Sequence, residues 1–344
     1  MRSIVFLAAA FLSSMARPDT GIVADAVPQP PSPMRTAPAA ASAAASAPDP
    51  FPIKRLPFLT WVVDYEPFWS PDGKQIVLIS NRHGGMKVHV LAAEARDHGA
   101  GMLQLTFGEA EDDSPAWSPD GKRIAYVSVR GGFSQIWVMN ADGSDQHSVT
   151  PSRTESIHPA WSADGSRVLV NTNAFAPKEG DPAPEAAGPL RAIGDPSDDA
   201  MDLATVRPDG TDLQRLTTAG GFTYASYSTD GRSLVHRRIQ GAVSQIGVMN
   251  ADGTGSHNVS GASTVDGWPA WSSDGKRIVF ARQVGESFQI FVMNRDGSGV
   301  RQLTDASGRF TNPRWSPDGS TILCSRGLGS MTLVTFPAPP GDPR

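Results

Sequence analysis

Apolar residues in this chain come in short bursts rather than in helical stripes. Runs such as "RIAYVS" (Arg123–Ser128) and "QIWVMN" (Gln135–Asn140) are bounded by clusters of Gly, Pro, Asp and Ser. Bursts of that length between turn residues predict short β-strands. "RIAYVS" is apolar on both faces, as expected of a strand sandwiched between other sheets. The bursts also repeat: "PAWSPDGKRIAYVS" (Pro115–Ser128) returns almost unchanged as "PAWSSDGKRIVFAR" (Pro269–Arg282).

The pattern aromatic-Ser-x-Asp-Gly starts at Trp69, Trp117, Trp161, Tyr227, Trp271 and Trp315, at spacings of 48, 44, 66, 44 and 44. Periods near 40–45 residues with four short strands each are the mark of propeller blades. Each unit reads as strand, "S-x-D-G" turn, apolar strand, turn, "Q-I-x-V-M-N" strand, "x-D-G" turn and a fourth strand. The repeated aromatic is expected to pack between adjacent sheets, its removal costing about 3–5 kcal/mol. The long interval is 44 plus 22. The excess is the insertion Ala176–Asp199, placed between the second and third strands of the third blade; it is a surface loop or a partner-binding arm.

Fourth strands end in Leu-Thr or a near match: Leu105-Thr106, Val149-Thr150, Leu216-Thr217, Val259-Ser260 and Leu303-Thr304. The sixth unit stops after "MTLVTF" without one, whereas "IKRLPFLT" (Ile53–Thr60) carries such a strand just ahead of the first unit. The expectation is an all-β, six-bladed propeller of four-stranded antiparallel blades spanning 51–336. The N-terminal strand completes the last blade and removes a frayed edge.

Composition adds the surroundings. Residues 1–16 hold one early Arg2 and a short apolar run, the pattern of a secretory signal peptide. Residues 17–50 read as a linker. Within it, 27–50 contain seven Pro, eight Ala and three Ser, too little to build a core. Residues 337–344 read as a tail. The single cysteine, Cys324, excludes an intramolecular disulfide. A net charge of −5 without a basic stripe argues against nucleic acid as a partner, and no later segment is apolar enough to span a membrane. The mature chain is expected to be a periplasmic or secreted monomer.

The in-phase string "PAWSPDGKRIAYVS…QIWVMNADGS…VT" resembles the WD-like repeats of TolB-type β-propellers over roughly residues 53–336. The resemblance implies a propeller exported to the bacterial periplasm. In TolB such a propeller is a docking platform for the peptidoglycan-associated lipoprotein and other envelope proteins, linked to outer-membrane integrity and bacteriocin uptake. TolB carries an α/β domain ahead of its propeller; here the signal and the Pro/Ala tether precede Phe51. The same repeats also occur in propellers attached to peptidases.

Chemistry-bearing motifs are scarce. The chain has no G-x-S-x-G elbow, H-E-x-x-H, Walker loop or paired C-x-x-C. His236 aligns with Tyr126 and Phe280 and reads as a core position. "NADGSD" (Asn140–Asp145) reads as an Asp-Gly hairpin turn rather than a calcium loop. One framework position differs in every unit. Three residues before each aromatic stand Glu66, Ser114, His158, Tyr224, Trp268 and Asn312. On the loops leading to the channel mouth, such a ring, with Asp113, suits an asymmetric ligand.

The same loops hold Asp64, Glu66, Glu109, Glu111, Asp112, Asp113, Glu155, Asp266 and Asp305 against Arg153 and Arg309. This acidic mouth is expected to attract a cation or a basic peptide. Glu111, Asp112 and Asp113, with Asp64 or Glu66 from the neighbouring blade, are candidate calcium ligands, Asp64, Glu111 and Asp112 foremost; the alternative is a solvated acidic rim, and no other cofactor is implied. The function expected is a protein- or peptide-binding scaffold of the cell envelope, without enzymatic activity. The alternative is a polysaccharide-active hydrolase or lyase using His158 and the mouth carboxylates.

Overall fold

The computed structural model describes residues 54–55, 62–94, 101–175, 201–261, 263–305, 308–327 and 331–339. The expected signal peptide, linker and insertion, and the end of the tail, lie outside the described residues. The strands form six four-stranded antiparallel sheets, and no helix occurs among the described residues. No helix there is long and apolar enough to cross a membrane.

The first strands of the blades are Asp64–Trp69, Asp112–Trp117, Ser156–Trp161, Phe222–Tyr227, Asp266–Trp271 and Phe310–Trp315. Each touches the first strands of both neighbouring blades, the sixth returning to the first, so these six strands surround one axis. In the last blade, Lys54 pairs with Thr335 and Arg55 with Val334. The N-terminal segment thus supplies the strand that the sixth repeat lacks. The closing strand's partner runs Met331–Pro337, one residue past the expected end of the propeller.

Six apolar clusters, one at each junction between blades, hold the ring together. Both faces of the second strands feed them, which is why those strands read as continuous apolar runs. At the first junction, Tyr65, Val77 and Ile79 meet Trp117, Ile124 and Tyr126. Trp117, Trp161, Trp271 and Trp315 are buried, and Trp161 Nε1 donates to Ala116 O of the preceding blade at 3.1 Å. The repeated aromatic is therefore a packing element.

His236 has become compatible with its core position through its neighbour. Tyr126 lies across from Trp137 and Phe280 from Phe291, whereas His236 lies across from Gly247. A Cβ on Gly247 would stand 2.5 Å from His236 Cε1, so the glycine makes room for the imidazole.

The S-x-D-G turns close one end of the ring. Ser70 Oγ donates to Asp72 Oδ1 at 2.6 Å and accepts Gln75 N–H at 2.9 Å, and the same Ser–Asp bond recurs in all six blades. Each turn rests on the next: Pro71 faces Gly121, Pro119 faces Gly165, Ala163 faces Gly231, Ser273 faces Gly319 and Pro317 faces Gly73. Thr229 Oγ1 donates to Ser273 O at 3.1 Å across the remaining junction. The loops joining blades lie at the opposite end.

The hydroxyl closing each fourth strand also has a structural office. Thr106, Thr150, Thr217, Ser260 and Thr304 accept the N–H of Val88, Ile136, Leu203, Ile246 and Ile290, each at 2.9–3.0 Å. These buried backbone donors have no ladder partner at the strand end, so a short hydroxyl side chain completes them.

Candidate functional site: the channel ring

The six variable residues do not sit on loops. They occupy the third position of each innermost strand, where the pairing with the second strand slips at a β-bulge. All six adopt left-handed backbone: Glu66 (φ 50°), Ser114 (47°), His158 (50°), Tyr224 (50°), Trp268 (51°) and Asn312 (53°). Left-handed backbone in a non-glycine residue costs on the order of 1–3 kcal/mol, and bulges re-aim side chains. Proline follows in five blades (Pro67, Pro115, Pro159, Pro269, Pro313), and Ala225 in the fourth. Proline has no N–H to lose where the ladder is interrupted.

The ring divides into two arcs. In blades three to five, His158 stacks on Tyr224 with ring centroids 3.6 Å apart, and Tyr224 meets Trp268 at 5.8 Å. In blades six and one, Asn312 Nδ2 donates to Glu66 Oε1 at 3.3 Å. Asp113, from blade two, faces Glu66. Burial and the neighbouring carboxylate hold its carboxyl well above the usual range. Asp113 Oδ1 also accepts the Ser114 N–H at 2.8 Å, bracing that bulge.

Two arginines that the sequence analysis did not single out join the ring. Arg237 is buried on the second strand of blade four, where blades one, two and five carry Ile79, Val127 and Ala281. It passes Gly267 of the next blade, where a Cβ would lie 3.8 Å from its Cδ. Arg314 follows Asn312 and Pro313, with its guanidinium 5.5 Å from the Phe68 ring centre. Burial and the charges of these two arginines push His158 down to about 3, so its imidazole is neutral at physiological pH. The sequence signal was present in one case: Arg237 is a charge at a repeat position that is apolar in three other blades.

The acidic mouth has internal counter-charges. Both oxygens of Asp64 accept from Arg82 Nη2 at 3.0 Å, and Asp266 receives Arg282 at 2.7 and 2.9 Å. Asp112 stands 3.8 Å from Lys87 Nζ. Glu111 Oε2 accepts Met86 N–H at 2.8 Å, and Glu155 Oε2 accepts Ser134 N–H at 3.0 Å. The count of nine acids against two bases omitted Arg82, Lys87 and Arg282, which arrive from neighbouring strands. The calcium candidates Asp64, Glu111 and Asp112 are thus engaged separately. Among the described residues no three His, Cys, Asp or Glu side chains converge on a metal-sized site. His158 hydrogen-bonds neither Glu66 nor Asp113, so the acid/base pairing considered above is not assembled.

Comparison with known proteins places this geometry. The sequence profile described as the TolB beta propeller domain matches residues 61–178 and 191–335. No curated protein matches the chain. Among solved structures, the putative TolB from Agrobacterium tumefaciens is similar at 22% identity, covering 84% of this chain and 97% of that one, with a TM-score of 0.62. TolB from Acinetobacter baumannii shares 18% identity over 77% of this chain, at a TM-score of 0.56; the match spans 57% of that protein. An oligogalacturonate lyase from Vibrio parahaemolyticus is similar at 11% identity, covering 83% and 93% of the two chains, with a TM-score of 0.55. At these identities the solved structures share the fold alone. The profile match covers most of the chain: the chain belongs to the TolB β-propeller domain family.

Proposed function

We propose that this propeller is an exported scaffold of the cell envelope that docks a protein or peptide segment in the loop-side end of its channel. One observation carries the reading. The fold holds a strained backbone at the same point of all six blades and places a different side chain there each time. Identical strain with unlike side chains fits recognition of an asymmetric ligand by a rigid ring. The S-x-D-G turns crowd the opposite end, which favours entry from the loop side. TolB proteins among the similar structures make an envelope role the natural one for this chain. Because Asp64, Asp112 and Asp266 stand beside Arg82, Lys87 and Arg282, the reading does not require a basic ligand.

Selection of a displayed peptide library against the propeller tests this, followed by calorimetric titration of the enriched sequences. Tyr224→Ala and Glu66→Gln are expected to weaken binding about tenfold or more, while substitutions on the S-x-D-G face leave it unchanged. Absence of enrichment, or binding indifferent to both ring variants, would count against the reading. A second reading, a polysaccharide-active hydrolase or lyase, draws on Asp113, whose carboxyl pKa is raised by burial and by Glu66 beside it, the direction a general acid needs. Cleavage of oligogalacturonate that is lost in Asp113→Asn would favour it.

A further inference from the structure

We infer that a cavity at the outer rim between blades two and three is a binding site for a small zwitterion of the α-amino-acid class. It lies on the S-x-D-G side, away from the loop-side end of the channel, and so stands apart from the docking reading above. The cavity measures about 350 Å³, at the small end of ligand sites. Blade two supplies Arg123, Asp145 and His147 to its wall, and blade three supplies Arg207, Pro208 and Asp209. It opens because one turn stands back. The x-D-G turn of a blade settles on the fourth strand of the blade before it. A Cβ on Gly143, Gly253 or Gly297 would lie 3.0 Å or less from a carbonyl oxygen there, but one on Gly210 would come no nearer than 3.4 Å to any atom of blade two. His147 props the gap: its Nε2 stands 2.9 Å from Pro208 O and its Nδ1 3.0 Å from Asp145 O. The sequence changes at the same place. Asn140, Asn250 and Asn294 each donate to a hydroxyl of their own turn at 2.9–3.0 Å, whereas blade three carries Arg207 there.

The charged groups of the wall are open to a ligand. Arg123 Cζ sits 4.6 Å from the Trp161 ring centre, and its Nη2 donates to Gly165 O at 3.1 Å. The guanidinium is thus fixed, while its Nε and Nη1 have no hydrogen-bond partner among the described residues. Arg207 Nε stands 3.5 Å from Asp212 Oδ2, which leaves its outer nitrogens unengaged among those residues. The Asp145 carboxylate accepts no hydrogen bond from them either, whereas Asp212, at the same position of blade three, takes Arg167 at 2.8 Å. Asp209 Oδ1 is held within its own turn by Thr211 N–H and Oγ1, at 2.9 and 2.6 Å. Two arginines and two aspartates balance, so a bare anion or cation is drawn by one pair and repelled by the other. An α-amino acid answers both signs: its carboxylate matches the guanidinium forks of Arg123 and Arg207, and its ammonium meets Asp145. Val138 and Met139 add an apolar stretch of wall for an apolar side chain. A sugar ring lacks a stacking platform, because Arg123 already covers Trp161.

The test titrates the whole chain with L-leucine, L-leucinamide and N-acetyl-L-leucine by ligand-observed NMR. Leucine is expected to bind about tenfold or more tightly than either analogue, since each analogue lacks one of the two charges. Asp145 and Arg207 are both exposed, and asparagine tolerates the left-handed backbone at position 145 (φ 55°). Asp145→Asn and Arg207→Gln should therefore leave the melting temperature in place and each weaken leucine about tenfold. Arg207→Gln should narrow the gap between leucine and leucinamide, and Asp145→Asn the gap between leucine and N-acetyl-leucine. Equal affinity for the three compounds overturns the inference, as does no binding at millimolar leucine. Leucine binding that survives both variants, or that is lost only in Tyr224→Ala, overturns it too, by placing the ligand elsewhere. Tighter binding of inorganic phosphate or glucose than of leucine overturns the zwitterion as the ligand. No peptide selection enters these titrations, so failure here leaves the docking reading standing, and the reverse holds.

Discussion

Replacing Thr304 by valine isolates one hydroxyl in one blade. Thr304 Oγ1 accepts the Ile290 N–H at 2.9 Å and donates to Gln289 Oε1 at 2.8 Å. Gln289 Nε2 in turn donates to Gly308 O at 2.8 Å, so the chain of bonds ties blade five to the segment leading into blade six. Valine keeps the shape and β-branching of threonine but can do neither task. Ile290 and Gln289 are both buried, so water cannot replace the lost partner. A buried backbone donor left unsatisfied costs about 1–3 kcal/mol. The added methyl returns at most about 0.8 kcal/mol, since it occupies space the hydroxyl already filled. The net loss is therefore about 1–2 kcal/mol, and Thr304→Ser, which keeps Oγ, should lose less. Urea unfolding of wild type, T304V and T304S, followed by circular dichroism, reads this as a shift in midpoint at unchanged slope. A T304V midpoint equal to that of T304S would refute the reasoning, and with it the same role for Thr106, Thr150, Thr217 and Ser260.

Three further outcomes follow from the geometry. Gly297 has φ 86°, and a Cβ there would collide with Val259 O of the preceding blade, whereas Gly275 (φ 68°) has open space around it. Gly297→Ala should lower the melting temperature more than Gly275→Ala, which bears only the left-handed strain of roughly 1–2 kcal/mol; equal losses would remove the steric term. Asp113 has a raised folded-state pKa, so the native state holds its proton longer than the unfolded chain. Its contribution falls as pH rises from the ordinary carboxylate value through the raised one. Asp113→Asn should therefore gain stability relative to wild type as pH climbs from 4 to 8 (~4 and ~8 bracket the usual carboxylate and neutral range), and a constant offset in melting temperature would contradict this. Cys324 is fully buried and pairs with Val334, the residue that Arg55 also holds, and burial raises its thiol pKa. A chain begun at residue 61 should react with a thiol reagent about tenfold faster or more under native conditions; an unchanged rate would mean that the closing strand does not guard the last blade.

Local signals made the fold legible. The aromatic-Ser-x-Asp-Gly string carries its own turn, because the serine and aspartate bond each other within five residues. Closure was legible as a deficit, a sixth unit without a fourth strand and a spare strand upstream. The ring position was legible only as a variable residue. Its left-handed backbone is not written in the residue type, although a proline after it in five blades marks an interrupted ladder. The charge balance was misjudged because counter-charges come from other strands: Arg82 reaches Asp64 across eighteen residues, and Lys87 reaches Asp112 from another blade. Arg237 was legible as an odd charge at its repeat position, but its placement was not, since it passes Gly267 of the next blade.

A crystal structure of the propeller with a library-selected peptide tests the central claim most directly. The account predicts the peptide entering from the loop side along the axis, within about 4 Å of Tyr224, Trp268 and Asn312. A peptide seated on the outer edge of a blade or on the S-x-D-G face, with the six left-handed residues untouched, would contradict it.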